Sequence, residues 1–265
     1  YMTAYNVPLS SFSCASLADW FLYRLKSLCW ANLNCSFIAP SLWMLAQARS
    51  SSLLQSFTTH HVPYAIDTTR WKPYNQSTCR DLIGLKPSVF SILFASSSGL
   101  FDERKGFQLL LSALKIINTS SSNYIPEIQL LVLGSSPSLP SLPPNCHALF
   151  LGQQTDETTM IAAINSVDAV IVPSLQDNLP NIAIEAQSCG VPVIAFSVGG
   201  LSDIIDHHNT GSLVEPFDID SLAKEIFWCF SSSLTGPRMR HQARQRAVAL
   251  FDPHVISSCH SNIYL

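Results

Sequence analysis

From Ser91 onward the chain alternates short, almost uninterrupted apolar runs with stretches whose apolar residues recur every three or four positions. The runs at 91–95, 128–133, 148–151, 169–172 and 191–196 are β-branched, leucine-rich or aromatic and are bounded by Gly, Pro or Ser. Strands buried on both faces read this way, because neither face can then be polar. Between them, Phe107, Leu110, Leu111, Leu114 and Ile117 fall on one helical face. Met160, Ile161 and Ile164 repeat the pattern, as do Leu222, Ile226 and Phe230, where Asp218 is placed to cap the helix. Strand–helix–strand alternation of this kind predicts an α/β fold: a Rossmann-like parallel sheet with helices on both faces.

The earlier part follows a different pattern. It predicts a helix near 16–33, a strand at 36–39, a helix over 41–49 and an extended piece at 61–66. The polar stretch 67–87, with Pro73 and Pro87, reads as a linker holding one short helix around 78–83. Roughly 70 residues with two strands are too few for a self-sufficient layered unit. They read as the remnant of a preceding lobe, and with Tyr1 rather than Met at its start the chain reads as part of a longer protein. The expected division is 1–68 for the remnant and crossover, 69–90 for the linker, 91–236 for the Rossmann-like domain and 237–265 for C-terminal helices.

With 47% hydrophobic and 12% charged residues, the chain is far from the composition of a disordered segment. A net charge of −3 gives no basic field for nucleic acid. Arg238, Arg240, Arg244 and Arg246 have no aromatic platform among them and are expected on the solvated face of a C-terminal helix. The apolar stretch 17–33 is broken by Asp19, Arg24 and Lys26, so no membrane span is expected, and no signal-peptide pattern opens the chain. The eight cysteines lack C-x-x-C or zinc-ligand spacing and read as reduced, buried thiols of a cytoplasmic protein. The serine-rich patches 120–122 and 231–233 are expected in loops.

Ligands of open parallel sheets bind beyond the carboxyl ends of the strands. Two strand-exit loops carry candidate chemistry. In the first, 96–107, Arg104 and Lys105 stand at the entrance of a helix, where cations oppose the macrodipole unless an anion joins them. The pair reads either as a phosphate site or as exposed surface charge. In the second, 173–185, Asp177 precedes Pro180 at the expected first helical position, and Glu185 follows about a turn and a half into the helix. Backbone N–H groups around Asn178 and Leu179 would face the crevice. A dinucleotide-dependent oxidoreductase is disfavoured, because Gly134 is followed by Ser135, Ser136 and Pro137 and no G-x-G-x-x-G occurs.

The stretch PSLQDNLPNIAIEAQSCGVPVIA (173–195) resembles the donor-binding motif of GT-B glycosyltransferases of family 4: an acid, seven residues, Glu, then Cys-Gly-x-Pro. Its QDNLPN wording is most similar to the colanic-acid-type exopolysaccharide branch. Further segments are similar in the same order: 38–54 to the last βα unit of the N-lobe, 62–73 to the interlobe crossover, 102–114 to the Lys-Gly-Phe element and 150–160 to a loop near the base.

The resemblance implies a retaining hexosyltransferase of polysaccharide biosynthesis with a nucleotide-diphosphate sugar as donor. It needs neither metal nor cofactor. Lys105 and Arg104 would hold the diphosphate, Glu185 the ribose, and Asp177 the donor sugar, with the backbone amides of Asn178 and Leu179. The acceptor, a saccharide or lipid-linked saccharide, and any peripheral membrane contact would belong to the lobe that is mostly absent. An inactive nucleotide-binding fragment is the alternative. Three departures stand out: Asp177 replaces the usual Glu, Tyr64-Ala65 replace Asn-Gly at the crossover, and Ser97-Ser98 stand where Gly-Arg is usual.

Overall fold

The computed structural model describes residues 14–97, 99–100, 102–119, 126–135, 141–231 and 236–264. Serines 98, 120–122, 136, 232 and 233 therefore lie outside the described residues. The first part comprises α1 (Cys14–Trp30), β1 (Ser36–Ala39), α2 (Leu42–Ser50) and β2 (Thr58–His61). β1 and β2 pair in parallel, with Ser36 opposite Thr58 and Ala39 opposite His61. Ser41 caps α2, its Oγ accepting from Met44 N at 3.0 Å. The strand lies earlier than the expected 61–66; residues 62–66 instead lead out of this small sheet, and Val62 N still donates to Ala39 O. Phe21, Leu25 and Leu28 of α1 are exposed, because two strands offer too little surface to cover them. After the crossover comes α3 (Gln76–Ile83), capped by Asn75.

The second part holds β3 (Phe90–Ala95), α4 (Phe107–Thr119), β4 (Ile128–Leu133), β5 (Cys146–Gly152), α5 (Glu157–Ser166), β6 (Ala169–Val172), α6 (Asn181–Ser188) and β7 (Val193–Phe196). It closes with α7 (Leu201–Ile204), β8 (Gly211–Val214), α8 (Ile219–Ser231), α9 (Gly236–Phe251) and α10 (Pro253–Tyr264). Six strands form one parallel sheet in the order β5–β4–β3–β6–β7–β8. Alternate residues of one strand feed opposite cores. Ile92 and Phe94 pack with Phe107, Leu110 and Leu114, while Leu93 packs with Leu131, Val170 and Ile184. Continuous apolar strands are the consequence of that double burial. Asp218 caps the chain into α8 as expected, accepting from Ser221 N at 2.9 Å. β8 was not predicted: in Gly211-Ser212-Leu213-Val214 only two residues are large and apolar.

Three of the four α9 arginines correct the expectation of a solvated face, while Arg238 is exposed as expected. Arg244 donates to the carbonyls of Thr68, Trp71 and Ser188 at 2.7–2.8 Å, and Arg246 to those of Asp203 and Ile204 at 2.8 Å. Arg240 donates to Val167 O at 2.9 Å. These side chains fasten α9 to the crossover and to the helix ends beneath it. The cysteines also divide: Cys79, Cys146 and Cys189 are buried, but Cys29 and Cys35 are exposed. Burial pushes the Cys146, Cys189 and Cys229 thiols up to about 12. No described helix is long and apolar enough to cross a membrane.

Candidate functional site

Between β3 and β6 the strand order reverses, so the connections leaving these neighbours diverge and open a crevice at their carboxyl ends. A cavity of about 960 Å³ lies there. Ser96, Ser97 and Lys105 line it from the β3 exit, Gly134 from the β4 exit, Gln153 and Gln154 from the β5 exit, and residues 177–182, Ile184 and Glu185 from the β6 exit. Tyr64, Asp67 and Trp71 of the crossover close its other side.

The β3 exit is shaped by Asp102, which caps a 3-10 turn at Glu103–Lys105 by accepting from Arg104 N at 3.1 Å. This turn places Lys105 one residue before Gly106, whose φ of 70° is in the left-handed region. A Cβ there would stand 1.8 Å from Pro173 O, so only glycine lets this turn lie against the β6 exit. Leu175 N donates to Arg104 O at 2.7 Å and joins the two exits. Lys105 then reaches across: its Nζ lies 2.7 Å from Asp177 Oδ2, with both side chains largely buried.

The structure divides the predicted cation pair. Arg104 turns back onto Asp102, with bonds of 3.0 and 2.8 Å, remains 68% exposed and does not line the cavity. Consecutive residues of a tight turn point to different sides, so only one of the two can enter. Among the predicted acids, Asp177 and Glu185 both line the cavity with Lys105. The expected free N–H of Asn178 is taken by Asp177 Oδ1 at 3.0 Å. The side chain of Leu179 is buried in the core, while the residue still lines the cavity. Pro180 is the cap of α6 rather than its first helical residue, and no side chain caps that end.

Glu185 is half-buried, and among the described residues its carboxylate has no hydrogen-bond or ion-pair partner. Desolvation, with a smaller contribution from the charge of Glu157, raises its pKa to about 7. Glu157 itself accepts from Trp71 Nε1 at 2.6 Å and pairs with Arg70 at 2.5 Å. Sequence reasoning singled out none of these three residues. Trp71 and Glu157 are 86 positions apart, and only the 62–73 and 150–160 segments as wholes carried a signal.

Parallel α/β sheets on either side of a crossover, with a crevice at the switch point of the larger one, define the GT-B type of glycosyltransferase fold. The chain belongs to the family described as glycosyl transferases group 1, whose model matches residues 90–232. A D-inositol 3-phosphate glycosyltransferase of Segniliparus rotundus is 31% identical over 197 residues, covering 70% of this chain and 41% of that protein. A 2-deoxystreptamine N-acetyl-D-glucosaminyltransferase of Niallia circulans is 23% identical over 223 residues, covering 82% of this chain and 54% of that protein. The chain thus spans about half the length of the curated relatives it matches. Sucrose-phosphate synthase from Thermosynechococcus elongatus superposes with a TM-score of 0.76 at 25% identity, over 96% of this chain and 63% of that one. Anabaena HepE, solved in complex with UDP-glucose, superposes with a TM-score of 0.72 at 18% identity, over 96% of this chain and 68% of that one, a likeness of fold.

Proposed function

We propose that the crevice binds a nucleotide-diphosphate sugar and that the whole protein transfers its hexosyl group, with retention, to a saccharide or lipid-linked saccharide in polysaccharide assembly. The reading rests on one observation: Lys105, Asp177 and Glu185 meet in one cavity at the β3/β6 switch point of a group 1 glycosyltransferase chain. Lys105 and the uncapped amino end of α6 supply the positive potential a diphosphate requires. The same groups stabilise the charge that develops as the bond from the anomeric carbon to the diphosphate breaks. Glu185 offers two acceptor oxygens to ribose hydroxyls, and Asp177 accepts from a sugar hydroxyl. On this reading neither a metal nor a further cofactor takes part, the protein is cytoplasmic, and any membrane contact is peripheral.

Calorimetric titration with nucleotide sugars tests the proposal. Lys105→Ala and Glu185→Ala are each expected to weaken binding, and unchanged affinity in both variants overturns the site. The share of the relatives' length and the exposed apolar face of α1 favour a second reading, in which this chain binds donor without transferring it. Donor hydrolysis or transfer by this chain contradicts that reading.

A further inference from the structure

The turn that carries Asp177 is also gripped by the first lobe. Ser41 is fully buried, and its Oγ lies 2.7 Å from Asn178 Oδ1 while accepting from Met44 N. Beside it, Leu42 N donates to Asp203 Oδ2 at 2.7 Å. On the other side, Gly200 N donates to Asn178 O at 2.6 Å. A Cβ on Gly200 would stand 2.5 Å from Asn178 O and 2.6 Å from Ser41 Cβ, so this seam has no slack.

A buried hydroxyl proton needs an acceptor. Met44 N–H already occupies one lone pair of Ser41 Oγ, and the proton goes to the amide oxygen of Asn178. That bond decides which way the amide is turned. Its oxygen faces the seam, and the two N–H donors of Nδ2 are left without a partner among the described residues, on a residue that lines the cavity. Its neighbour Asp177 is a carboxylate, which repels phosphate oxygens but accepts from hydroxyls. A sugar hydroxyl satisfies both groups at once, donating to Asp177 and accepting from Asn178.

We infer that the Asn178 side chain binds a hydroxyl of the donor's sugar, and that Ser41 of the first lobe is the positioning residue that turns it. The inference rests on the donor-site reading above and adds to it a sugar contact set from the opposite lobe.

Calorimetry with UDP, GDP, ADP and dTDP, and with the glucose ester of each, separates the two. For whichever diphosphate binds, Ser41→Ala and Asn178→Ala are each expected to weaken the ester about five- to tenfold, the worth of one hydrogen bond, and to move the free diphosphate by less than about twofold. The double variant should bind the ester no worse than Asn178→Ala alone. Loss of the α2 cap lowers the melting temperature in both backgrounds alike, so a purely structural role of Ser41 moves stability without this non-additivity. Equal weakening of ester and diphosphate, or additive losses in the double variant, overturns the inference. Failure of all four diphosphates to bind overturns the donor-site reading beneath it.

Discussion

Lys105 Nζ and Asp177 Oδ2 lie 2.7 Å apart although the two residues leave different strands and are separated by 72 positions. In the free chain the candidate phosphate cation is therefore already neutralised, and a diphosphate has to compete with Asp177 for it. The two residues should separate on mutation. Lys105→Ala is expected to weaken diphosphate binding about ten- to a hundredfold, the range for losing a charge-assisted bond. Asp177→Asn releases Lys105 and is expected to tighten the free diphosphate while reducing sugar transfer. Titration of both variants with the same diphosphate checks the opposite signs.

Arg104 provides the contrast. Its guanidinium is held by Asp102 and exposed to solvent, and exposed pairs contribute little. Arg104→Ala is expected to leave diphosphate affinity within about twofold of the parent, because the carbonyl that joins Leu175 is retained. A loss as large as that of Lys105→Ala would show that the side chain swings into the cavity on binding.

Glu185 links function to stability through pH. Its carboxyl is raised from 4.5 to about 7 in the fold, chiefly by desolvation. The folded state therefore holds a proton that the unfolded state has already released between these pH values. Stability from this group is full below about 4.5 and is lost as pH rises through about 7. The gap corresponds to about 3 kcal/mol. Glu185→Gln is expected to unfold at higher urea than the parent at pH 8 and at similar urea at pH 4. Binding of the nucleotide sugar, whose diphosphate does not titrate in this range, is expected to follow the opposite trend: the acceptor form is the carboxylate, so parent affinity should rise from pH 6 to pH 8 and the variant's should stay flat and weak. A parent profile without slope would remove Glu185 from the ribose.

The strands were legible because burial on both faces leaves an uninterrupted apolar record, as in Leu130-Leu131-Val132-Leu133. β8 left no such record, since Gly211 and Ser212 owe their place to pairing with β7 rather than to apolar character. At the site, the spacing of Asp177 and Glu185 alone was a weak signal; the pair became readable only within the whole frame from Pro173 to Cys189-Gly190-Val191-Pro192. The direction of Arg104 was not, because adjacent residues in a tight turn diverge by geometry that sequence does not encode. Glu157, Arg70 and Trp71 meet only through long-range packing, and the Ser41–Asn178 bond spans 137 positions. Arg240, Arg244 and Arg246 misled for a related reason. A guanidinium meeting main-chain carbonyls has no partner residue type to reveal it.

Arg244 carries the last prediction. Its two terminal nitrogens serve the carbonyls of Thr68, Trp71 and Ser188, which belong to the crossover and to the end of α6. Arg244→Met keeps much of the apolar stem but leaves those carbonyls without their donor. The expected loss is about 3 kcal/mol, seen as a lower urea midpoint with an unchanged slope. Lysine restores the charge but not the fork, so Arg244→Lys should recover less than half of the loss. Because Trp71 also donates to Glu157 in the cavity wall, a crossover freed from α9 should weaken nucleotide binding as well. If Arg244→Met unfolds at the parent's midpoint, α9 does not hold the crossover in place.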